Sequence, residues 1–351
     1  MSSQVRFGVI GCGEIAVQTC QGISAAPNAE IKMLMDTRPE VLGDLAEFYG
    51  APTTTSAKEV FANPEVDAVY IATPHDLHVP LGIRAARAGK HVLVEKPIAT
   101  TLQDADALIA AGKEAGGKLG VALLAQVDAA MAAARDLIRA GLLGDIIAVR
   151  MEALIDKPAA YWTGGYSQRV RTDWRTQRAR AGGGVLIMNV IHDLNTVRWV
   201  TGLEVKRVYA EYDTLATELE IDVEDTIGVL LRYENRAIGV IQAGSSIRGR
   251  SHEDVRGPRI YGTKGQIILA KEPLIALESP PEGGQPYSWQ KLRFSGPTQD
   301  RAEMIRRFAD AILEDGKPPV TGLDGRKALE IALAAYRSGE LGYPVELPLK
   351  E

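Results

Sequence analysis

Two cysteines, Cys12 and Cys20, in 351 residues exclude a disulfide framework and a cysteine-rich zinc site. An excess of either charge is also missing: 40 Lys and Arg against 45 Asp and Glu leave a formal −5. General nucleic-acid binding rests on a surplus of cations that neutralise phosphates, and this chain lacks one. No apolar run reaches the roughly 18 residues of a membrane-crossing helix. The opening MSSQVRFGVIGCG has neither the basic and apolar stretches nor the small-residue cleavage site of a secretory signal. These absences lead to the expectation of a cytoplasmic protein with reduced thiols and no nucleic-acid or membrane partner. No internal repeat is evident.

What is present is an ordinary globular composition, 46% hydrophobic and 24% charged, long enough for two domains with cores of their own. The one surplus is glycine, 35 residues against an average share of about 7%. Short apolar runs at 5–10, 31–35, 68–72, 91–94 and 119–124 alternate with helical patterns at 15–25, 39–49, 77–88 and 102–115. That alternation predicts an α/β Rossmann domain, a doubly wound parallel sheet, over residues 1–122. Pro39 suits a first helical turn, and Thr101 with Asp104 has capping spacing.

The rhythm then changes. A helix at 128–140, ended by Gly141, precedes strands at 146–155, 205–212, 226–233, 237–242, 259–261 and 266–269. Turns at 234–236 and 262–265 join neighbouring strands, so residues 123–351 are expected to form an α+β domain with a large, mainly antiparallel open sheet. Helices at 184–200, 301–314 and 325–337 complete it, and 280–286 (PPEGGQP) reads as a loop.

Gly11-Cys12-Gly13-Glu14-Ile15-Ala16 fits G-x-G-x-x-A directly after the first strand and at the start of a helix, the context that gives this pattern its meaning. Gly11 allows the tight turn and Gly13 the approach of a pyrophosphate. Glu14 and Ile15 open the helix whose N-terminus favours phosphate, and Ala16 lets that helix pack closely. Asp36 ends the second strand 25 residues after Gly11. A carboxylate there accepts from an adenine-ribose 2′-hydroxyl and repels a 2′-phosphate, so NAD is the expected cofactor. Thr37 shares that turn, and Arg38, whose guanidinium suits a 2′-phosphate, keeps NADP open. Cys12 is read as a small filler side chain.

Residues 66–97 (VDAVYIATPHDLHVPLGIRAARAGKHVLVEKP) closely resemble the Gfo/Idh/MocA oxidoreductases, the family of glucose–fructose oxidoreductase and inositol dehydrogenase. The similarity continues through 141–144, 182–202 and 261–269 to the tail, and Glu95-Lys96-Pro97 after a strand is its most specific motif. The resemblance implies that Lys96, at the end of a parallel strand where doubly wound sheets bind ligands, donates to a substrate hydroxyl and stabilises charge developing on its oxygen. Glu95 would orient the nicotinamide or pair with Lys96, and Pro97 would follow a cis peptide. Ala72-Thr73-Pro74 resembles the nicotinamide-side loop, with His75 expected at the cofactor and His78 packing or capping beneath the loop. The HDLH stretch lacks the further ligands a metal needs, so none is expected.

Residues 182–202 (GGGVLIMNVIHDLNTVRWVTG) resemble the family's glycine turn and the helix that presents an Asp and, four residues later, a His. His192 matches the His, but Met188 stands at the Asp position. Asn189, three residues before His192, shares its face on an α-helix and is expected to bond a substrate hydroxyl or orient the imidazole. Asp193 is read as facing elsewhere on the helix, with the missing role as its alternative. His192, helped by Lys96, is then the base in oxidation, a task suited to an imidazole's ordinary pKa.

Upstream, residues 161–180 hold arginines at 169, 171, 175, 178 and 180. The bland reading is a solvated loop or subunit contact. The sharper one is a substrate-side loop, where Tyr161, Trp162, Arg171, Asp173 and Trp174 offer an aromatic platform and directional polar groups to a polyol ring. The arginines also admit a sugar acid. The resemblance thus implies an NAD(P)-dependent dehydrogenase acting on a secondary alcohol of a sugar, cyclitol or derivative, assembled as a homodimer or homotetramer through the C-terminal sheet. Its rivals are a non-catalytic dinucleotide or sugar sensor, an NAD-dependent glycosidase using transient oxidation, and a reductase for an enal, diol or imine. Lys96 and His192 argue against the sensor, and the missing carboxylate keeps the reductase open.

Overall fold

The five apolar runs of the first third pair, together with a two-residue strand that the sequence reading missed, as a six-stranded parallel sheet. Its strands are Val5–Ile10 (β1), Ala29–Met35 (β2), Thr53–Thr54 (β3), Ala68–Ile71 (β4), His91–Val94 (β5) and Leu119–Val121 (β6). The computed structural model describes residues 4–217, 219–249 and 257–350. The strand order, β3-β2-β1-β4-β5-β6, reverses between β1 and β4, the switch point beside which such sheets bind ligands. Phe7, Val9, Ile10, Val69, Tyr70 and Ile71 are fully buried, each contributing roughly 1.5–3 kcal/mol. Thr101 Oγ1 accepts from Asp104 N at the start of the helix Leu102–Glu114. The expected helix at 39–49 is instead a 3-10 turn, Pro39–Val41, followed by an α-helix, Gly43–Tyr49. Gly43, a poor helix former, stands at the break.

The chain divides into two compact units, and neither is continuous. One comprises Met1–Leu124, Pro158–Gly182 and Asp300–Leu329; the other Ala125–Lys157, Gly183–Gln299 and Glu330–Glu351. After a first break at Leu124, two later stretches return to the first unit. A parallel sheet needs helices over both faces, and the late helix Arg301–Leu313 supplies part of that cover. Its Phe308 ring lies 6.4 Å from Phe7 of β1.

The second unit is built on a nine-stranded sheet. Its strands are Ile146–Leu154 (β7), Val205–Asp213 (β8), Thr226–Tyr233 (β9), Ile238–Gly244 (β10), Arg259–Gly262 (β11), Gly265–Ile268 (β12), Leu274–Leu277 (β13), Gln290–Lys291 (β14) and Val345–Glu346 (β15). In the order β14-β13-β12-β11-β7-β10-β9-β8-β15 every pairing is antiparallel except β7 with β10. The expected antiparallel character therefore holds with one parallel exception. Along β9 and β10, Ile227, Val229, Leu231, Ile241 and Ala243 are buried, whereas Leu230, Ile238 and Val240 are 43–48% exposed. Period-two alternation thus leaves an apolar strip on the outer face. The expected helix at 184–200 begins later, with a π-helical turn, Leu186–Val190, that passes into the α-helix Ile191–Thr201.

Candidate functional site

Because β1, β4 and β5 are neighbours, the loops that leave them lie side by side. Gly11 has φ +93°, and a Cβ there would stand 2.7 Å from the Ala72 carbonyl oxygen, so only glycine lets these two loops meet. Gly13 starts the helix Glu14–Ala25 without a side-chain cap, leaving first-turn N–H groups for an acceptor. Asp36 accepts from Cys12 N at 2.8 Å and from Arg38 N at 3.0 Å. A carboxylate offers about four lone-pair positions, so Asp36 keeps capacity for ribose hydroxyls. Thr37 is exposed beside it, and the Arg38 guanidinium is drawn to the Arg171 carbonyl at 2.9 Å. Cradle, helix terminus and acidic strand end fit a dinucleotide. Cys12 and Cys20 are buried, and burial pushes both thiols up, Cys20 to about 12, which makes them unreactive.

At the end of β5 the Glu95 carboxylate is enclosed. Its Oε1 accepts from Tyr70 Oη at 2.7 Å and from Arg301 Nη1 at 2.6 Å, while Oε2 receives Lys96 N at 3.2 Å. Burial pushes this carboxyl up, but Arg301, Lys96 and Tyr70 outweigh it and hold it below the ordinary glutamate range. Lys96 is held below its usual range, first by burial and then by Arg301 and Arg175, against the pull of Glu95. Such an ammonium gives up a proton more readily than a solvated one. The Lys96–Pro97 peptide is cis, as the resemblance implies.

Thr73 and Pro74 leave β4, and both following histidines are buried. His75 Nδ1 lies 2.7 Å from the Ala181 carbonyl and its ring 4.5 Å from that of Trp174. Burial, with His78 and Lys96, keeps it well below its ordinary pKa and therefore neutral. His78 has Pro97 O at 2.8 Å and Thr73 O at 3.0 Å from its two nitrogens. It ties the β4 loop to the β5 loop.

Residues 158–182 form a strap on the dinucleotide side of this unit. Arg169 Nε donates to Cys12 O at 2.9 Å, Nη2 to Val41 O at 2.6 Å, and the guanidinium forks onto Asp44. Ser167 N donates to Glu14 Oε1 at 2.8 Å, and Arg175 stands 3.6 Å from the same carboxylate. Val170 lies 3.9 Å from where a Gly13 Cβ would be. Of the proposed platform, Trp162 is buried at 1% exposure, Trp174 packs between His75 and Arg175, and Tyr161 carries Arg175 over its ring. Arg171 and Asp173 are exposed, and Asp173 pairs with Arg180 at 3.1 Å. The arginine surplus at 169, 175 and 180 is thus matched by carboxylates within the unit.

In the second unit the glycine turn is locked by a group that sequence reasoning missed. Glu224 Oε2 accepts from Gly184 N at 2.6 Å, and Oε1 from Leu186 N and Tyr336 Oη, both at 2.9 Å. It caps the first turn with a carboxylate, as a helix N-terminus favours. Gly183, with φ +152°, has no room for a Cβ beside Tyr336, nor Gly184 beside Glu224 O at 1.8 Å. The π turn carries Met188 and Asn189, and His192 follows in the α-helix. An i→i+5 turn holds more residues than an α turn, so three- and four-residue spacing alone does not say which side chains share a face. Asn189 Oδ1 accepts from Lys157 Nζ at 2.8 Å, and Lys157 is 2% exposed. Lys157 was also missed; its only signal was a lysine two residues beyond an apolar strand. Burial alone pushes the Asp193 carboxyl up to about 7. Among the described residues no cluster of three or more His, Cys, Asp or Glu is arranged to hold a metal ion.

Residues 5–123 match the model of the oxidoreductase family with an NAD-binding Rossmann fold, and residues 131–268 match that of the GFO/IDH/MocA C-terminal domain. The chain is 30% identical to 1,5-anhydro-D-fructose reductase of Ensifer adhaerens over 97% of its length and 98% of that protein. It is 28% identical to myo-inositol 2-dehydrogenase of Thermotoga maritima over 98% of both. The crystal structure of the WlbA dehydrogenase from Bordetella pertussis, in complex with NADH and UDP-GlcNAcA, superposes with a TM-score of 0.83 at 27% identity. That likeness covers 99% of this chain and all of the other.

Proposed function

The chain belongs to the GFO/IDH/MocA oxidoreductase family, and from that premise we propose that this NAD-dependent dehydrogenase oxidises, reversibly, a secondary alcohol of a sugar, cyclitol or sugar derivative. One observation carries the reading: a half-buried lysine with a lowered pKa at the C-terminal end of β5, beside a loop that fits a dinucleotide. When bound, the nicotinamide supplies the hydride acceptor. Lys96 donates to the substrate oxygen and stabilises its developing charge. His192 takes the hydroxyl proton, and the Glu224-capped turn holds its helix. Asn189 and Asp193 are the groups offered in place of the helix carboxylate. Names of relatives supply the substrate class: an anhydrofructose reductase, an inositol dehydrogenase and a complex with a sugar nucleotide.

NAD is favoured over NADP because the Asp36 carboxylate beside the glycine loop would repel a 2′-phosphate and Arg38 is engaged by Arg171 O. The exposed strip of Leu230, Ile238 and Val240 favours a homodimer or homotetramer through this sheet. A panel of polyols, sugars and sugar acids with NAD and NADP, followed at the reduced-nicotinamide absorbance, tests the reading. Dinucleotide binding with no turnover of any sugar-like compound would support the sensor instead. The strap on the glycine loop favours a second reading, in which the dinucleotide is kept through repeated transient oxidations. Cofactor that survives purification with no net NADH would decide for it.

A further inference from the structure

Arg301 opens the helix Arg301–Leu313, whose N-terminus is capped by Asp300 accepting from Ala302 N. A cation in the first turn opposes the helix dipole, so the helix itself gains nothing from an arginine there. The guanidinium reaches instead toward the ends of β4 and β5. Arg301 Nη1 donates to Glu95 Oε1 at 2.6 Å and to Tyr70 Oη at 2.5 Å. Tyr70 Oη donates to the same carboxylate oxygen at 2.7 Å, which closes a triangle whose tyrosine and glutamate are buried. The helix Glu14–Ala25 leaves space for it: a Cβ at Gly22 would lie 3.1 Å from Arg301 Cγ and 3.3 Å from its backbone carbon. All of these residues belong to the first unit.

The triangle occupies Oε1, while Oε2 receives Lys96 N at 3.2 Å. The carboxylate is thus held by a strand, a helix and its own next residue, and the peptide that carries Lys96 is held with it. Charge follows from the same geometry. Burial works against the Arg301 cation, but Tyr70 and Glu95 outweigh it, so the guanidinium stays charged. It offsets part of the Glu95 charge, which favours the Lys96 ammonium, and its own field disfavours that ammonium directly. Arg175 of the strap acts in the same sense. His75 and His78 also face Lys96, but burial keeps both imidazoles below their ordinary range and uncharged where a lysine titrates. Burial pushes the Tyr70 hydroxyl up, so it stays a neutral donor there.

We propose that Arg301 is a positioning residue for Lys96: it locks the Glu95 carboxylate against Tyr70, and so fixes where Lys96 stands and how readily its ammonium donates to a substrate oxygen. The proposal rests on the dehydrogenase reading and deepens it, but one arm of its test needs no substrate. Trace acetylation of the purified full chain with acetic anhydride over about pH 6–11, read at Lys96 by peptide mass spectrometry, gives the midpoint of its ionisation. In the wild type that midpoint is expected below the value of a solvated lysine. Arg301→Gln, which removes the charge, should raise it by about one unit. Arg301→Lys, which keeps a cation, and Tyr70→Phe, which removes only a neutral donor, should each leave it within about 0.3 unit. A wild-type midpoint at or above that of a solvated lysine overturns the proposal, and this reading requires no variant to fold. A midpoint unmoved in Arg301→Gln, or moved as far by Tyr70→Phe, also overturns it.

The second arm is the pH profile of kcat/KM with whichever sugar or cyclitol is turned over. Lys96 acts as the ammonium, so activity falls as pH rises through its ionisation, and Arg301→Gln should move this alkaline limb upward together with the labelling midpoint. An arginine that served stability alone would lower Tm and leave the limb in place. A midpoint that moves without the limb refutes the chemistry given to Lys96 and leaves its coupling to Arg301 standing. If nothing is turned over, the dehydrogenase reading fails, and the labelling still decides the role of Arg301.

Discussion

At the scale of single residues, burial sets the chemistry. Lys96 loses solvent, and Arg301 and Arg175 press it further below its ordinary pKa. Lys96→Met should therefore lower kcat/KM by about 100- to 1,000-fold while leaving the dissociation constant for NAD within about threefold. Stopped-flow turnover and fluorescence titration of NADH check the two halves, and retained activity would refute the role given to Lys96. Asp193 has the opposite sign, because burial raises its carboxyl to about 7. The folded chain keeps a proton that the unfolded chain releases above about pH 4, so stability falls as pH rises from there through 7. Asp193→Asn has no proton to lose. Its Tm should exceed that of the wild type by several degrees at pH 8, by less at pH 5, and match it only near pH 4 and below, as differential scanning calorimetry would show. Lys96, His192 and the glycines were legible in the sequence because motif and position coincide. Lys157 and Glu224 were not, since each becomes informative only through a partner 30 or more residues away.

At the scale of elements, the glycine turn and the strap are the two devices that position other groups. A Cβ at Gly184 would lie 1.8 Å from Glu224 O, so Gly184→Ala must displace the capping carboxylate or the turn. It should cost more than about 2 kcal/mol in urea unfolding and lose most turnover even where it folds. The strap acts within the first unit. Arg169 bonds to the carbonyl of Cys12 inside the dinucleotide loop and to Val41 and Asp44 beyond it. Arg169→Ala should raise the NADH dissociation rate by about tenfold, read by displacement in a stopped-flow fluorimeter, and an unchanged rate would detach the strap from cofactor retention. The sequence marked this stretch by its arginines but placed their charge toward substrate. Their carboxylate partners, Asp44, Glu14 and Asp76, come from other helical elements of the unit, and no spacing rule connects them.

At the scale of the whole molecule, the nine-stranded sheet leaves Leu230, Ile238 and Val240 exposed on its outer face. If that face joins copies of the chain, Val240→Glu should convert the assembly to a smaller species with little change in Tm. Light scattering after size exclusion would report it, and an unchanged mass would remove the strip from the interface. No helix among the described residues is long and apolar enough to cross a membrane. Apart from the short strands β3, β13, β14 and β15, which it missed, the sequence by itself determined five of the six parallel strands, six of the nine strands of the second sheet with the turns that join them, the dinucleotide loop and the family. Each of these is written in local periodicity or in contiguous motifs, where the side chains that matter are neighbours in the chain. Tertiary structure alone decided which late segments return to the first unit, which arginines are neutralised, and that the turn before His192 is π-helical. It also decided that a buried lysine faces Asn189. These outcomes depend on contacts between residues far apart in the chain, and burial, which gives those contacts their strength, exists only once the chain has folded.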